Sequence, residues 1–570
     1  MLAFLRTFVA VIAAFLFLTF VPLAALVAVA MLGHEGPRED SWLVVHLSGD
    51  LLEWYGPTTL RDLFEDPPPC LMQITENLEK AAADSRIRGV ILKVDGIKAG
   101  SGKLDEIREG LQHVRDAGKP TYAWATSLDD AELYLASECD STFLFPQGRV
   151  LMLGRGASIP HVKGTLDKLD IHDQFHAIDE YKSAVETFTQ TESSAEAIQN
   201  LKWLVEDVDS TTQQTLCANR KIEGNKIAAL RARGIIGATA ARDSGLVDDL
   251  LYWDELEERL RGPLPKLRTI SSEDYAQVDR ASLGLAGRTK VAVVHGQGFI
   301  ASDGEDRYDP VFGVVLGPDR MIEDIDRARE DHAVKAILLR VDTPGGATDG
   351  SQRVARAVTR ARMEKPVIVS VADEAASGGY MISYPANRIV CPGNGITGSI
   401  GSITGKFNMR GFWNKLGITY DTIPFAPNAF LYSELNDWTL EQKEIVAEDH
   451  WAFYREWIED IAKQRSLPPE QVDENGRGKV WTGRQAAARG LVDDLGGFDE
   501  AVDALRNVAE LEEDEDLQFE HWPKEKSLLD VLLSGDIGRV LAAEVVAQAR
   551  ATLSGTGSWR GSLLWQPLHP

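Results

Sequence analysis

The sequence predicts an α/β protein made of two tandem copies of one βαβ domain. Three observations carry that expectation. Aliphatic and β-branched runs of strand length alternate with stretches of helical period, the pattern of parallel strands buried on both faces. The hexapeptide Gly245-Leu-Val-Asp-Asp-Leu250 returns unchanged as Gly490-Leu-Val-Asp-Asp-Leu495. The chain is 570 residues long, more than one hydrophobic core serves, so several units are required.

In chain order, the first candidate element is the uncharged stretch 7–32. It can cross about 30 Å of hydrocarbon as one helix. It also exceeds the apolar core of a cleavable signal peptide, about 7 to 15 residues, although Ala28-Val29-Ala30 offers a cleavage pattern. Residues 1–40 are therefore expected to form an N-terminal transmembrane helix. Arg6 on the short flank faces Glu35, Arg38, Glu39 and Asp40 on the long one, which puts the N-terminus in the cytoplasm and everything after residue 40 outside it.

The repeat sets the next boundaries. IRGVILKVD at 87–95 matches VKAILLRVD at 334–342, and Gly118-Lys-Pro120 matches Glu364-Lys-Pro366, so the landmarks keep an offset of 245 to 247 residues. The copies are expected over 41–262 and 289–507. A linker over 263–288 joins them, opening with Pro263-Leu264-Pro265 and continuing polar from Ser271 to Asp279. In the second copy strands are expected at 291–295, 336–342 and 367–373, with helices over 320–332 and 352–362. A longer amphipathic helix over 440–464 holds Trp451, Phe453, Tyr454 and Trp457, which read as packing material. Residues 508–570 read as a partly helical tail: an acidic patch, then an amphipathic stretch over 527–551 that docks on the body or a neighbour, with a membrane-surface role for Trp559 and Trp565 as the alternative.

In a parallel sheet the reactive loops lie at the C-terminal ends of strands. After 336–342 comes Thr343-Pro344-Gly345-Gly346, whose paired glycines leave backbone N–H groups open to an approaching group, which suits an oxyanion hole. After 367–373 comes Ala375-Ala376-Ser377-Gly378-Gly379-Tyr380, a serine at the entry to a short helix over about 379–383 whose N-terminus favours negative charge. Each turn alone is an ordinary βα connection, and two in adjacent turns of one sheet read as a site. A serine nucleophile needs a base. No histidine of the eleven stands out by position, and a lysine kept neutral by burial is the alternative.

Composition narrows the partners. Lys and Arg number 60 against 87 Asp and Glu, and the net charge of -27 repels phosphate backbones, so nucleic acid is excluded. Cys70, Cys139, Cys217 and Cys391 make neither a disulfide scaffold nor a CxxC pair, and read as small buried hydrophobes. No metal or cofactor is expected.

The combination of RVDTPGG, AASGGY, TGSIG at 397–401 and, far upstream, EYKSAVE at 180–186 resembles the signal peptide peptidase (protease IV) family in its long, duplicated, membrane-anchored bacterial form. The likeness spans about 41–507 together with the anchor. It implies two tandem crotonase-like domains of the ClpP/crotonase superfamily and a Ser/Lys dyad. By resemblance Ser377 is the nucleophile, Lys182 the general base supplied by the first copy, Gly346 and Gly378 the oxyanion-hole amides, and Ser399 the hydroxyl that holds the lysine amine. The family also implies cleaved signal peptides as substrates, a homo-oligomer that is tetrameric in the long form, and a single-pass protein of the bacterial inner membrane with its catalytic body on the periplasmic side.

The repeat supports one composite site. An offset of 246 carries Ser377 back to Ala131 and Lys182 forward to Asn428, so each copy lacks what the other has. The first copy also has Gly96-Ile97-Lys98 in place of Thr343-Pro344-Gly345, a degenerate oxyanion turn. Asp373 and Glu374 depart from the family pattern just before the nucleophile and are expected at the surface. A crotonase-type acyl-CoA hydratase would share the fold but works through carboxylates and needs no anchor. An anchored scaffold with a decayed site would have lost a motif element, and all are present.

Overall fold

Six parallel strands form the first sheet, in the order Asp249–Leu250, Ser141–Leu144, Thr121–Ala125, Ile87–Lys98, Ser41–Asp50, Thr269–Ser271. Six strands of the eight-stranded second sheet repeat that order, Asp494–Leu495, Arg388–Cys391, Val367–Ala376, Val334–Thr343, Thr289–Gln297 and Leu517–Trp522, and these six are again parallel. The sequence repeat is thus a repeat of topology. The computed structural model describes residues 36–55, 69–309, 311–513 and 515–524. The expected membrane segment 7–32 and the amphipathic stretch 527–551 lie outside the described residues, among which no helix is long and apolar enough to cross a membrane.

The central strands are apolar on both sides because helices cover both sides. Ile337, Leu339 and Val341 pack with Met321, Ile325 and Ala328 of the helix Pro318–Glu330 and with Val354, Val358 and Ala361 of the helix Thr348–Arg362. The alternate residues Ala336 and Leu338 pack with Ala501 and Leu505 of the helix Phe498–Ala509. Burying each large aliphatic side chain contributes about 1.5–3 kcal/mol, so the uninterrupted AILL run defines the layer by itself. The long helix Leu440–Arg465 buries Tyr454 and Trp457 in the same core, with Trp451 and Phe453 against its margin.

Two segments differ from expectation. Within 263–288, Thr269–Ser271 pairs with Ser41–Asp50 and closes the first sheet, so this stretch is more than a linker. Beyond 507, Leu517–Trp522 pairs with Thr289–Gln297 and closes the second sheet at the equivalent place. Both strands are short or carry polar residues, and neither has an apolar run to announce it. Of the cysteines, Cys70, Cys139 and Cys391 are buried as small hydrophobes are, whereas Cys217 is only half-buried.

The copies differ most at their third strand. In the first copy it ends at Ala125, while in the second it runs ten residues to Ala376. The extra length supports a branch: Glu374–Ala376 pairs with Ile396–Gly398, which pairs antiparallel with Val480–Thr482. The copies meet along a buried face where Arg340, fully buried, donates to both carboxylate oxygens of Glu53 at 2.7 and 3.2 Å and to Glu106 at 2.6 Å. Arg340 belongs to the second copy, and both acids belong to the first.

Candidate active site

The branch delivers Ser377. Its backbone sits at φ 55°, ψ −112°, outside the ordinary basins for a residue with a side chain, and is held there by Ser377 N donating to Gly398 O at 2.8 Å. The helix that follows, Gly378–Ser383, is wholly buried. As its first residue, Gly378 has no intrahelical acceptor for its N–H.

Gly346 lies beside it. Ile300 N donates to Gly345 O and Ala347 N donates to Ile300 O, a parallel bridge that leaves the N–H of Gly346 itself pointing away from Ile300. A side chain at Gly346 would put its Cβ 2.1 Å from Ile300 O, and one at Gly378 would lie 3.2 Å from Gly346 N. Both positions therefore require glycine for close approach, and the two amides are neighbours. Thr343 Oγ1 fixes the turn, donating to Gly298 O at 2.6 Å and accepting from Gly345 N at 3.1 Å.

Lys182 arrives from the first copy. The strand His172–Ala177 pairs antiparallel with Ile403–Asn408 of the second copy, and the chain then turns through Ile178 to Lys182. Ile178 N donates to Ser402 O, Arg477 donates to Asp179 at 2.9 Å, and Gly478 passes so close that a Cβ there would lie 2.3 Å from Lys182 N. The lysine amine ends 3.0 Å from Ser377 Oγ and 2.8 Å from both Oγ and O of Ser399. Only 8% of Lys182 is exposed, and burial lowers its pKa from the usual lysine value to about 7.

The five residues singled out in the sequence, Ser377, Lys182, Ser399, Gly346 and Gly378, thus stand together. The residues that the offset assigned to the other copy do not: Ala131 lies in the helix Asp130–Ala136, and Asn428 is in an exposed turn. The first copy's turn is occupied from within, since Gly96 N and Ile97 N both donate to Glu132 Oε1, at 2.7 and 3.3 Å. The buried histidines among the described residues sit elsewhere. His295 bonds His521 at 2.9 Å, and His450 bonds Ser402 and His176.

Asp373 and Glu374 are not at the surface, contrary to expectation. They are half-buried where the second copy's strand Val367–Ala376 meets the first copy's helix Ser101–Asp116. Sequence reasoning also missed Ile300 and Gly478, whose roles rest on backbone contacts that leave no motif, and it gave no role to Gly398 within TGSIG. Gly478, at φ 81°, and Gly398, at φ 89°, were visible only as glycines.

The profile of Peptidase family S49 matches residues 113–266 and again 359–512. The chain belongs to peptidase family S49. The two matched spans of this S49 peptidase start 246 residues apart, the offset already read from Pro120 and Pro366, so the family domain is present twice. It is similar to Protease 4 of Salmonella typhi, 32% identical over 83% of this chain and 77% of that protein. The chloroplastic serine protease SPPA of Arabidopsis thaliana is 29% identical over 82% of this chain and 69% of its own length. A putative signal peptide peptidase SppA of Enterococcus faecium is 31% identical over 32% of this chain and 54% of that protein. This S49 peptidase is a serine peptidase.

Proposed function

We propose that the peptidase cuts peptides with a Ser377/Lys182 dyad shared between its two crotonase-like copies. The observation that carries this reading is the buried Lys182 amine, 3.0 Å from Ser377 Oγ. A neutral amine has two N–H bonds and one lone pair. Ser399 Oγ and O accept the two N–H bonds, which leaves the lone pair facing the serine hydroxyl.

Lys182 takes the proton from Ser377 as Oγ attacks the peptide carbonyl, and the amides of Gly346 and Gly378 hold the oxyanion. The lysine then protonates the leaving amine. Water, deprotonated by the same lysine, releases the acyl group from Ser377. One oxyanion donor is typically worth about 2.7–4 kcal/mol in such a step.

The substrate class is cleaved signal peptides, carried over from the resemblance and from the name of the Enterococcus faecium relative. The stretch 7–32 would anchor the body on the extracytoplasmic side of a bacterial inner membrane, where such peptides remain. The chain also assembles with itself, to a tetramer by resemblance. Exposed apolar side chains between Leu416 and Leu440, with Phe425 95% exposed, support such an association.

The test is hydrolysis of a synthetic signal peptide and a short fluorogenic peptide by the full chain in detergent, with sedimentation of the same preparation. Ser377→Ala and Lys182→Ala each lower kcat by about 100-fold or more while circular dichroism stays unchanged. Full activity in a folded Lys182→Ala variant would sink the dyad.

A further inference from the structure

The two strands that end in the candidate site lose their ladder just before they reach it. Val341 pairs with Val371, but the next pair is Thr343 with Ala375, so the nucleophile strand carries extra residues there and bulges. Asp373 and Glu374 lie in that bulge, and Asp342 lies opposite. Over this interval backbone pairing cannot fix how the oxyanion turn after Asp342 sits against Ser377. Side chains bridge it instead.

Asp342 Oδ1 accepts the N–H of Glu374 at 3.3 Å, and its other oxygen lies 2.7 Å from the amine of Lys103. The same amine is 3.5 Å from Asp373 and donates to Leu51 O at 3.0 Å. Lys103 belongs to the first copy, in the opening turn of the helix Ser101–Asp116. That helix has a glycine at its N-cap and no acid in its own first turn. Asp373 supplies the missing acceptor from the other copy, taking the N–H of Gly100 at 2.8 Å and of Lys103 at 2.9 Å. The approach depends on two glycines. A Cβ at Gly100 would lie 2.3 Å from the Asp373 carboxylate carbon, and one at Gly102 would lie 2.3 Å from Ala372 O.

The charges are arranged to match. Burial opposes the charge on Lys103, and Asp342, Asp373 and Glu53 outweigh it, holding the amine above the usual lysine range. Burial, then the charges of Asp342 and Asp373, push Glu374 well above the usual carboxylate range.

We propose that Lys103 is a positioning residue for the peptidase reaction: from the first copy it clasps Asp342 and Asp373, and so holds the oxyanion turn and the nucleophile turn in register. The proposal rests on the reading of Ser377 and Gly346 given above. The first copy would then act on the site twice, once through Lys182 and once from behind the nucleophile.

The experiment compares wild type with Lys103→Met in the full chain, reading kcat, KM, thermal melting and amide hydrogen exchange. The expected variant is folded, with kcat lower by about tenfold or more, KM within about twofold, and faster exchange across 343–346 and 374–380. A folded Lys103→Met with kcat within about twofold of wild type, or with unchanged exchange in both turns, would overturn the clasp. Should that variant not fold, Asp342→Asn, which keeps an acceptor for Glu374 N and loses the ion pair, carries the same readouts. Exchange does not depend on which residue is the nucleophile. Retained activity in Ser377→Ala would therefore sink the dyad alone, while the exchange rates of the two turns would still support or overturn the clasp.

Discussion

Lys182 is ordinary in type and unusual only in place. In water its amine would be protonated up to about pH 10.5, and burial brings that down to about 7. If it is the base, kcat/KM rises with pH to a plateau, with its midpoint near 7. A rate that is flat or falling from pH 6 to 9 would contradict this. Stability follows from the same shift. Between pH 7 and 10.5 the unfolded chain binds a proton that the folded chain does not, so folding gains stability as pH rises through that window. Lys182→Met lacks that dependence, and its melting advantage over wild type is expected to be largest near pH 6 and to shrink toward pH 10.

At the scale of elements, the branch formed by Val480–Thr482, Ile396–Gly398 and the end of the nucleophile strand holds the serine and the lysine loop together. Gly478, just before it, is where the lysine loop passes closest. A Cβ there meets Lys182 N at 2.3 Å, and the positive φ adds about 1–2 kcal/mol of strain for any side chain. Gly478→Ala is expected to lower kcat by about tenfold or more through displacement of the 178–182 loop, checked by peptide hydrolysis beside a melting curve. Much of this architecture was legible in the sequence. Valine and isoleucine runs marked the central strands, and Gly346 and Ser377 were visible because they stand in adjacent βα turns. Lys182 emerged only through resemblance and the complementarity of the copies, since nothing in its own surroundings foretells burial. The extension of the third strand from Glu374 to Ala376 was hidden, because acids read as surface until the chain that covers them is known. That chain is the first copy's Gly100-Ser101-Gly102-Lys103, about 270 residues away.

For the molecule as a whole, the contact between copies is built from charge as well as apolar surface. Arg340 and Glu53 are both fully buried, so neither can return to water while the copies stay together. Arg340→Met leaves Glu53 and Glu106 without their cation and is expected to destabilise the protein by about 3–5 kcal/mol, measured by denaturant unfolding. The two copies have also diverged at the corresponding turn. The first copy's turn is filled by Glu132, while the second copy has the open turn and the serine. Lys182 and Ser377, the proposed base and nucleophile, are 195 residues apart in the chain. At a synthesis rate of about 5–20 residues per second, the lysine emerges on the order of ten to forty seconds before the serine. The strand Leu517–Trp522, which closes the second sheet, emerges later still. If the proposed dyad is the site, a nascent chain therefore holds no complete site until the second copy has been made, and the order of synthesis itself delays the first cut.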